Sequence, residues 1–174
     1  MLDETIITET PPRYSCYGRV GQQVSVPITG NRAKRILHGV INIGTGDALL
    51  AISHEWVQET HQAFLQAIRS HWRGWHIVLF EDRGSPHTAE DSKALAKDLK
   101  MEIRWLPTAT PHLNAMDPLW RYTKKWGLGS RSTESMATSA DRACTYIFGL
   151  SPRQRLRKAG VLIDWEHLKE HHTS

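Results

Sequence analysis

The sequence has few cysteines and no long apolar run. Its 174 residues include only two cysteines, Cys16 and Cys144, which cannot build the disulfide framework of a small secreted domain. No apolar run approaches the roughly 20 residues that a membrane-spanning helix needs. Residues 1–10 have neither the basic nor the apolar region of a signal peptide. The sequence therefore predicts a cytoplasmic chain without a membrane partner.

Charge is unevenly distributed along the chain. Lys and Arg number 22 and Asp and Glu number 18, which gives a formal net charge of +4. Residues 121–158 contain nine of the basic residues and only two acidic ones, Glu134 and Asp141. A local excess of positive charge is typical of a surface that binds nucleic acid, but it is equally typical of a solvated helical face. Charge alone leaves both interpretations open.

The apolar pattern predicts one α/β domain in which a mixed central sheet of about five strands is flanked by helices. Strands are predicted at 2–8, 24–28, 36–43, 48–52, 76–80 and 102–106, and helices at 55–72, 88–100, 117–126, 134–148 and 152–159. The early part of the chain is expected to contain three successive antiparallel strands, two of them in a hairpin. The continuous apolar run at 76–80 is typical of a strand that is buried on both faces.

Three aspartates stand at positions where an α/β sheet can hold a ligand. Asp82 directly follows the apolar run, Asp3 lies in the first strand, and Asp117 stands at a helix start. Taken singly, each has a plain structural explanation: a turn residue, an exposed terminal residue and a helix N-cap, respectively. Together, three carboxylates from different elements are what a two-metal phosphoryl-transfer site needs.

Blocks around these aspartates resemble the catalytic domain of DDE transposases, the family of mariner and related bacterial insertion-sequence transposases. The first block is Asp3-Glu4-Thr5, and the second is Glu81-Asp82 with His87 five residues later. The third and most specific block comprises Trp105, Leu106, Pro107, Pro111, Leu113, Asn114, Met116, Asp117, Leu119, Trp120 and Lys124. The 34 residues between Asp82 and Asp117 are also a pattern of this family. The resemblance extends over nearly the whole chain.

The resemblance implies a ribonuclease-H-like fold and the metal-dependent cleavage and transfer of DNA strands. Asp3, Asp82 and Asp117 would be the catalytic residues and would hold two Mg²⁺ ions, for which Mn²⁺ can substitute. The partners would be transposon ends and target DNA, and the active form would be a dimer.

The resemblance also implies how the chain is divided. Residues 1–130 would form the catalytic core, and residues 131–174 a C-terminal helical extension of the same domain. Family members carry a helix-turn-helix region before the core, whereas only Met1 and Leu2 precede Asp3 here. We therefore expect no N-terminal helix-turn-helix domain in this chain. A separately encoded half that carries this region is the expected partner, and a truncated remnant is the alternative.

Five residues near the aspartates are candidates for DNA contact: His87, Asn114, Arg121, Lys124 and Lys125. The three basic residues follow Asp117 on its helix, where charge alone suffices to bind phosphate. For His87, three roles stay open: orienting Asp82, touching a phosphate, or occupying a plain turn position.

Three positions depart from the family pattern. Arg83 replaces the usual Asn, Ala115 replaces a common Pro, and Pro118 directly follows the third aspartate. Proline disfavours the helical conformation of the residue before it. The helix is therefore expected to begin later than in relatives, which would turn the Asp117 carboxylate away from the metal ions.

Several histidines flank or lie in the helix predicted at 55–72, namely His54, His61, His71 and His76. Their spacing fits no zinc motif, so we expect them on the surface or at an interface.

Two other functions stay open. One is that of a catalytically inactive transposase remnant, which acts at most as a non-specific DNA-binding module through residues 121–158. The other is a ribonuclease-H-type nuclease that cleaves RNA–DNA hybrids, and the third block speaks against it.

Overall fold

A computed structural model describes residues 1–10, 12, 14–15, 19–21, 25, 33–129 and 135–162. Its strands are β1 (Leu2–Thr8), β2 (Lys34–Ile41), β3 (Ala48–Ser53), β4 (Ile77–Glu81) and β5 (Met101–Trp105). Its α-helices are α1 (Gln58–His71), α2 (Ser85–Thr88), α3 (Glu90–Asp98), α4 (Met116–Tyr122), α5 (Met136–Gly149) and α6 (Pro152–Lys158). A 3₁₀ turn (Pro111–Leu113) precedes α4, and a π-helical segment (Thr123–Leu128) follows it. Apart from Ser25, the strand predicted at 24–28 lies outside the described residues.

The strands form two hydrogen-bonded ladders. The antiparallel ladder has the order β1-β2-β3, and the parallel ladder joins β4 to β5. Strand β4 approaches β1, so the two ladders lie side by side. The predicted mixture of antiparallel and parallel strands is therefore confirmed, as is the hairpin of β2 and β3. Among the described residues, no backbone ladder connects β1 with β4.

Helices cover both faces of the first ladder. On one face, Leu37 and Ile41 of β2 pack with residues of α4 and α5. On the other face, Val40 of β2 packs with Phe64 of α1 and Leu79 of β4. Each face thus has its own apolar cluster, which is the layered arrangement that an α/β domain uses to bury its sheet.

The strand that is buried on both faces is β2 rather than β4. All residues from Ile36 to Ile41 are buried. In β4, by contrast, Leu79 is buried while Val78 is 38% exposed. The prediction for the run at 76–80 was wrong on this point, because among the described residues the apolar cluster that holds Leu79 covers only one face of that strand.

Helix α4 begins before Asp117, contrary to the expected effect of Pro118. The helix starts at Met116, so Pro118 falls in its first turn. The first-turn N–H groups of a helix have no partner within the helix, so the missing N–H of Pro118 costs no hydrogen bond there. The Asn114 side chain secures this start, because its Oδ1 accepts the Met116 N–H at 3.1 Å.

The polypeptide does not stop at the end of α4 but continues into the π-helical segment Thr123–Leu128. Thr123 is buried, and its hydroxyl donates to the Leu119 carbonyl at 2.8 Å. Segments of π-helix are rare and often occur at functional sites. This segment carries Lys124 and Lys125.

Among the described residues, no helix is long and apolar enough to cross a membrane.

Helix α4 packs very closely against the sheet at Gly39 of β2. A methyl group at this position would lie 2.5 Å from both Met116 Cε and Trp120 Cζ2. We expect Gly39→Ala to lower the free energy of unfolding by about 1–3 kcal/mol, because the helix must move to make room. Urea denaturation measures this change. Gly149→Ala is the control, since nothing lies within 4 Å of its new methyl group. Equal stability of the two variants would contradict the close packing of α4 on β2.

Asn114 ties the start of α4 to β1. Its Nδ2 donates to the Leu2 carbonyl at 2.7 Å, and the side chain is buried. We expect Asn114→Ala to destabilise the fold by about 1–3 kcal/mol, because it leaves the Leu2 carbonyl and the Met116 N–H without a partner. The same denaturation experiment on His112→Ala, at an exposed position two residues earlier, should show almost no change. A similar small change for Asn114→Ala would argue against this link.

Candidate active site

The three predicted aspartates lie around one cavity. Asp3, Asp82 and Asp117 all line a cavity of about 440 Å³, which we call the aspartate pocket. Arg83, Gly84 and Asn114 line it as well. The remaining wall is the loop from Leu106 to Pro111, which follows β5.

Each aspartate reaches the pocket from a different element. Asp3 lies near the start of β1 and pairs with Gly39 of β2. Asp82 directly follows β4, and its Oδ1 accepts the Gly84 N–H at 2.9 Å, which fixes the turn after the strand. Asp117 lies in the first turn of α4. The carboxyl end of a strand and the start of a helix thus meet at one edge of the sheet.

The carboxylates of the pocket interact electrostatically. Burial, together with the charges of Glu4, Asp82 and Asp117, raises the pKa of Asp3 to about 7. Such a shift is typical of carboxylates that share a site. Asp117 is partly offset by Arg121, one helical turn later, whose Nη2 lies 2.9 Å from Asp117 Oδ2. A divalent cation would offset the remaining charge.

The donor set of the pocket fits a hard cation. Three carboxylates offer only oxygen ligands, which Mg²⁺ prefers, and Mg²⁺ keeps water or substrate phosphate in its other positions. The pocket is partly open, since the Asp82 side chain is 58% exposed and that of Asp117 is 33% exposed. Space for a phosphate group is therefore present beside the carboxylates.

His87 is buried beside Asp82 and contacts its carboxylate. Its Nδ1 lies 2.8 Å from Asp82 Oδ1, and its Nε2 lies 3.1 Å from Glu4 Oε2. Although burial opposes the charged ring, the hydrogen bonds to Asp82 and Glu4 raise the pKa of His87 to about 11. The ring is therefore an imidazolium that donates to both carboxylates. The hydrogen bond from His87 in turn lowers the pKa of Asp82.

The expected DNA contact does not fit the positions of His87 and Asn114. Both side chains are buried, with exposed fractions of 1% and 4%, and their polar atoms bond to groups of the protein. Of the three alternatives left open for His87, this geometry favours the one in which the ring orients Asp82. Asn114 instead joins β1 to α4.

The predicted basic residues lie on the outer side of α4 and the π-helical segment. Arg121 and Lys125 are exposed. Lys124 is half-buried, and burial lowers its pKa, while the nearby Asp117 and Asp3 act in the opposite direction. A shallow groove, which we call the basic groove, is lined by Pro118, Arg121, Tyr122, Lys125, Arg157, Lys158 and Gly160. Positive charge is thus concentrated beside the aspartate pocket.

One basic residue of the stretch 121–158 has a structural role instead. Arg155 is buried, and its guanidinium donates to the carbonyls of Ile147, Gly46 and Phe148. It joins the end of α5 to the turn between β2 and β3. The charge excess of the sequence therefore overstates the charge available to a ligand.

Sequence reasoning missed a group of polar residues behind Asp82. Glu4, His38, His61 and Glu81 are all buried or nearly so. His61 was expected on the surface or at an interface, but it is fully buried in the domain. A signal was present in the sequence: His61 precedes Phe64, Leu65 and Ile68 by three, four and seven residues, which places it on the apolar face of α1.

The backbone resembles solved mariner transposases. A Mos1 transposase paired-end complex with the left transposon end has a TM-score of 0.70 and 17% identity, covering 95% of this chain and 52% of that chain. A mariner Mos1 paired-end complex with Mg gives 0.70 and 17%, covering 98% and 54%. A Mos1 mariner paired-end complex with Mn gives 0.68 and 16%, covering 91% and 50%. At such low identity the likeness establishes the fold, which is ribonuclease-H-like as predicted.

The chain spans about half the length of these transposases. A comparison with curated protein sequences finds no significant match. The family model of DDE superfamily endonucleases matches residues 1–138, which is well over half of the chain. The match includes Asp3, Asp82 and Asp117 together with the elements that carry them. By this match, the chain belongs to the DDE superfamily endonucleases.

Proposed function

We propose that this chain is the catalytic domain of a DNA transposase, which cleaves DNA phosphodiester bonds and transfers the resulting strand ends. The observation that carries the proposal is the meeting of Asp3, Asp82 and Asp117 at one open pocket. Membership of the DDE superfamily endonucleases supports it.

The three aspartates would hold two Mg²⁺ ions, and Mn²⁺ can take their place. When bound, the ions would supply the electrostatic activation of the attacking water or DNA 3′-hydroxyl and the stabilisation of the leaving oxygen. The protein's own residues position these ligands. His87 fixes one oxygen of Asp82, Asn114 fixes the start of the helix that carries Asp117, and Gly84 fixes the turn after β4.

The DNA backbone would lie along the basic groove. Arg121 and Lys125 are exposed there, and the half-buried Lys124 interacts electrostatically with Asp117 and Asp3. Lys158 also lines the groove, with its ammonium 4.2 Å from the centre of the Tyr122 ring. Such contacts hold phosphates in place and carry no information about base sequence.

The DNA partners in this proposal are transposon ends and target DNA. Since phosphate contacts read no sequence, a helix-turn-helix region is needed to select the ends. We propose that a separately encoded partner supplies it and that the active assembly is a dimer. The residue ranges 1–130 and 131–174 are proposed as core and helical extension of one domain.

The variant Asp82→Asn tests the proposed site. The new amide would keep an oxygen that accepts the His87 hydrogen bond but would lose the charge that holds the metal. We expect metal-dependent nicking of supercoiled DNA to fall by more than the roughly 100-fold that loss of an outer-shell partner costs. The measurement is a nicking assay with Mg²⁺ or Mn²⁺ on the purified full chain.

The control for this assay is Asp98→Asn, an exposed aspartate at the end of α3, which should nick DNA as well as the parent chain. Nicking that persists in the Asp82 variant would refute the site. A folded parent chain that binds DNA but does not nick it with either metal would refute the catalytic proposal and support the inactive remnant. Preferential cleavage of RNA–DNA hybrids would support the ribonuclease alternative.

The salt dependence of DNA binding tests the basic groove. Each phosphate contact releases counterions, so its loss makes the negative slope of log K against log[salt] shallower by about 1. We expect the double variant Lys124→Ala, Lys125→Ala to reduce the magnitude of this slope by about 2, as measured by fluorescence anisotropy with duplex DNA. Lys97→Ala, on the exposed side of α3, should leave it unchanged. An unchanged slope in the double variant would place the DNA elsewhere.

A further inference from the structure

A second group of possible ligands lies beneath the aspartate pocket. Glu4 of β1, His61 of α1 and His87 of α2 each offer one ligand atom, and these three atoms lie within 4.8 Å of one another. We call these residues the histidine cluster. Both histidines are almost fully buried, with exposed fractions of 0% and 1%. The side chain of Glu4 is 9% exposed.

Two side chains at this cluster lack hydrogen bonds. Among the described residues, neither ring nitrogen of His61 has a hydrogen-bond partner, and neither carboxylate oxygen of Glu81 has one. The nearest approach is 3.7 Å, between His61 Nε2 and Glu81 Oε2. Both side chains are fully buried. Buried polar groups are otherwise almost always satisfied by protein, ordered water or an ion.

The chemistry of the cluster is that of a zinc ligand set. Zn²⁺ binds two imidazoles and one carboxylate in known sites, at about 2.0–2.2 Å from each ligand atom. Two ligand atoms of a tetrahedral ion therefore lie about 3.3 Å apart. His87 Nε2 lies 3.1 and 3.2 Å from the two oxygens of Glu4, so this pair already has the spacing of two neighbouring ligands.

Each member of the cluster also has an outer partner. His87 Nδ1 faces Asp82, His61 faces Glu81, and Glu4 Oε1 lies 3.3 Å from His38 Nδ1. Histidines that bind a metal usually donate their other ring N–H to a carboxylate, which fixes the tautomer and the ring orientation. The pair of Asp82 and His87 repeats this arrangement, whereas Glu81 lies beside His61 at 3.7 Å, outside hydrogen-bond distance.

We propose that Glu4, His61 and His87 bind one Zn²⁺ ion that holds β1, α1 and α2 together directly behind Asp82. On binding, His87 gives up the proton between its Nε2 and Glu4 to solvent, while its Nδ1–H continues to donate to Asp82. The ion offsets the charge of Glu4. A water molecule takes the fourth position.

This ion is distinct from the ions of the aspartate pocket. The pocket offers oxygen atoms alone, whereas the cluster offers two nitrogens, which suit Zn²⁺ or Co²⁺ better than Mg²⁺. The inference rests on the geometry of the cluster and does not depend on the proposed function. A chain without nuclease activity could still bind this ion.

Cobalt absorption tests the proposal on the full chain. The chain is stripped with EDTA, and Co²⁺ is added. Tetrahedral Co²⁺ with nitrogen ligands absorbs strongly in the visible range, whereas octahedral Co²⁺ held by carboxylates and water absorbs weakly. We expect one equivalent of strongly absorbing Co²⁺, displaced by one equivalent of Zn²⁺. The strong band should disappear in His61→Gln and persist in Asp117→Asn, which alters the aspartate pocket but none of the three residues of the histidine cluster.

The matched control is His54→Gln, the same change at an exposed histidine near the start of α1. It should keep the band. No strong band in the unmutated chain, or a band that survives His61→Gln, would overturn the proposal and leave the cluster as a hydrogen-bonded network.

Thermal unfolding of the unmutated chain tests zinc binding without the use of a variant. If Zn²⁺ binds the folded state, one equivalent should raise the melting temperature of the EDTA-treated chain by at least about 3 °C. Elemental analysis after gel filtration should then find about one zinc per chain. A melting temperature that Zn²⁺ does not raise, or less than a tenth of an equivalent retained, would also overturn the proposal.

Discussion

The contact of His87 with both Asp82 and Glu4 is the interaction on which the site depends. Among the described residues, β1 and β4 share no backbone ladder, although they lie side by side. The His87 ring spans this gap, because one nitrogen faces the residue after β4 and the other faces β1. It therefore aligns the strand that carries Asp3 with the strand end that carries Asp82. Since the ring is buried, the alignment is shielded from solvent.

The same region must accommodate carboxylates that repel one another. The pKa of Asp3 is raised first by burial and then by the neighbouring negative charges. Arg121 offsets Asp117 at the pocket, and Lys124 stands nearby. In our proposal, metal ions at the pocket would compete with Arg121 for Asp117. The guanidinium, with its side chain 69% exposed, would then be available to a DNA phosphate beside the reacting bond.

The sequence predicted most elements but not the interior of the site. Periodicity located α1 and the β2–β3 hairpin, and capping residues located α6, which runs from Pro152 behind the Ser151 N-cap. Local patterns were misleading where tertiary contacts decide. The run at 76–80 is apolar on both faces, yet the described contacts bury only one. Pro118 opposes a helix at Asp117, but the Asn114 side chain supports the helix start. Asp82 lies five residues before His87, but Glu4, the other partner of the ring, is 83 residues away, so no spacing rule could identify it.

Asp82 shows how the buried cluster and the open pocket constrain each other. Its Oδ1 accepts hydrogen bonds from both the Gly84 N–H and His87 Nδ1. Only Oδ2 is then left to face a metal ion in the aspartate pocket, which restricts Asp82 to a single ligand atom. An ion in the histidine cluster would leave the Nδ1–H of His87 in place, so the geometry of Asp82 would be the same with or without it. The ion in the histidine cluster would stabilise the packing of β1, α1 and α2 beside Asp82. The metal ions used in catalysis would bind the carboxylate oxygens of the aspartate pocket.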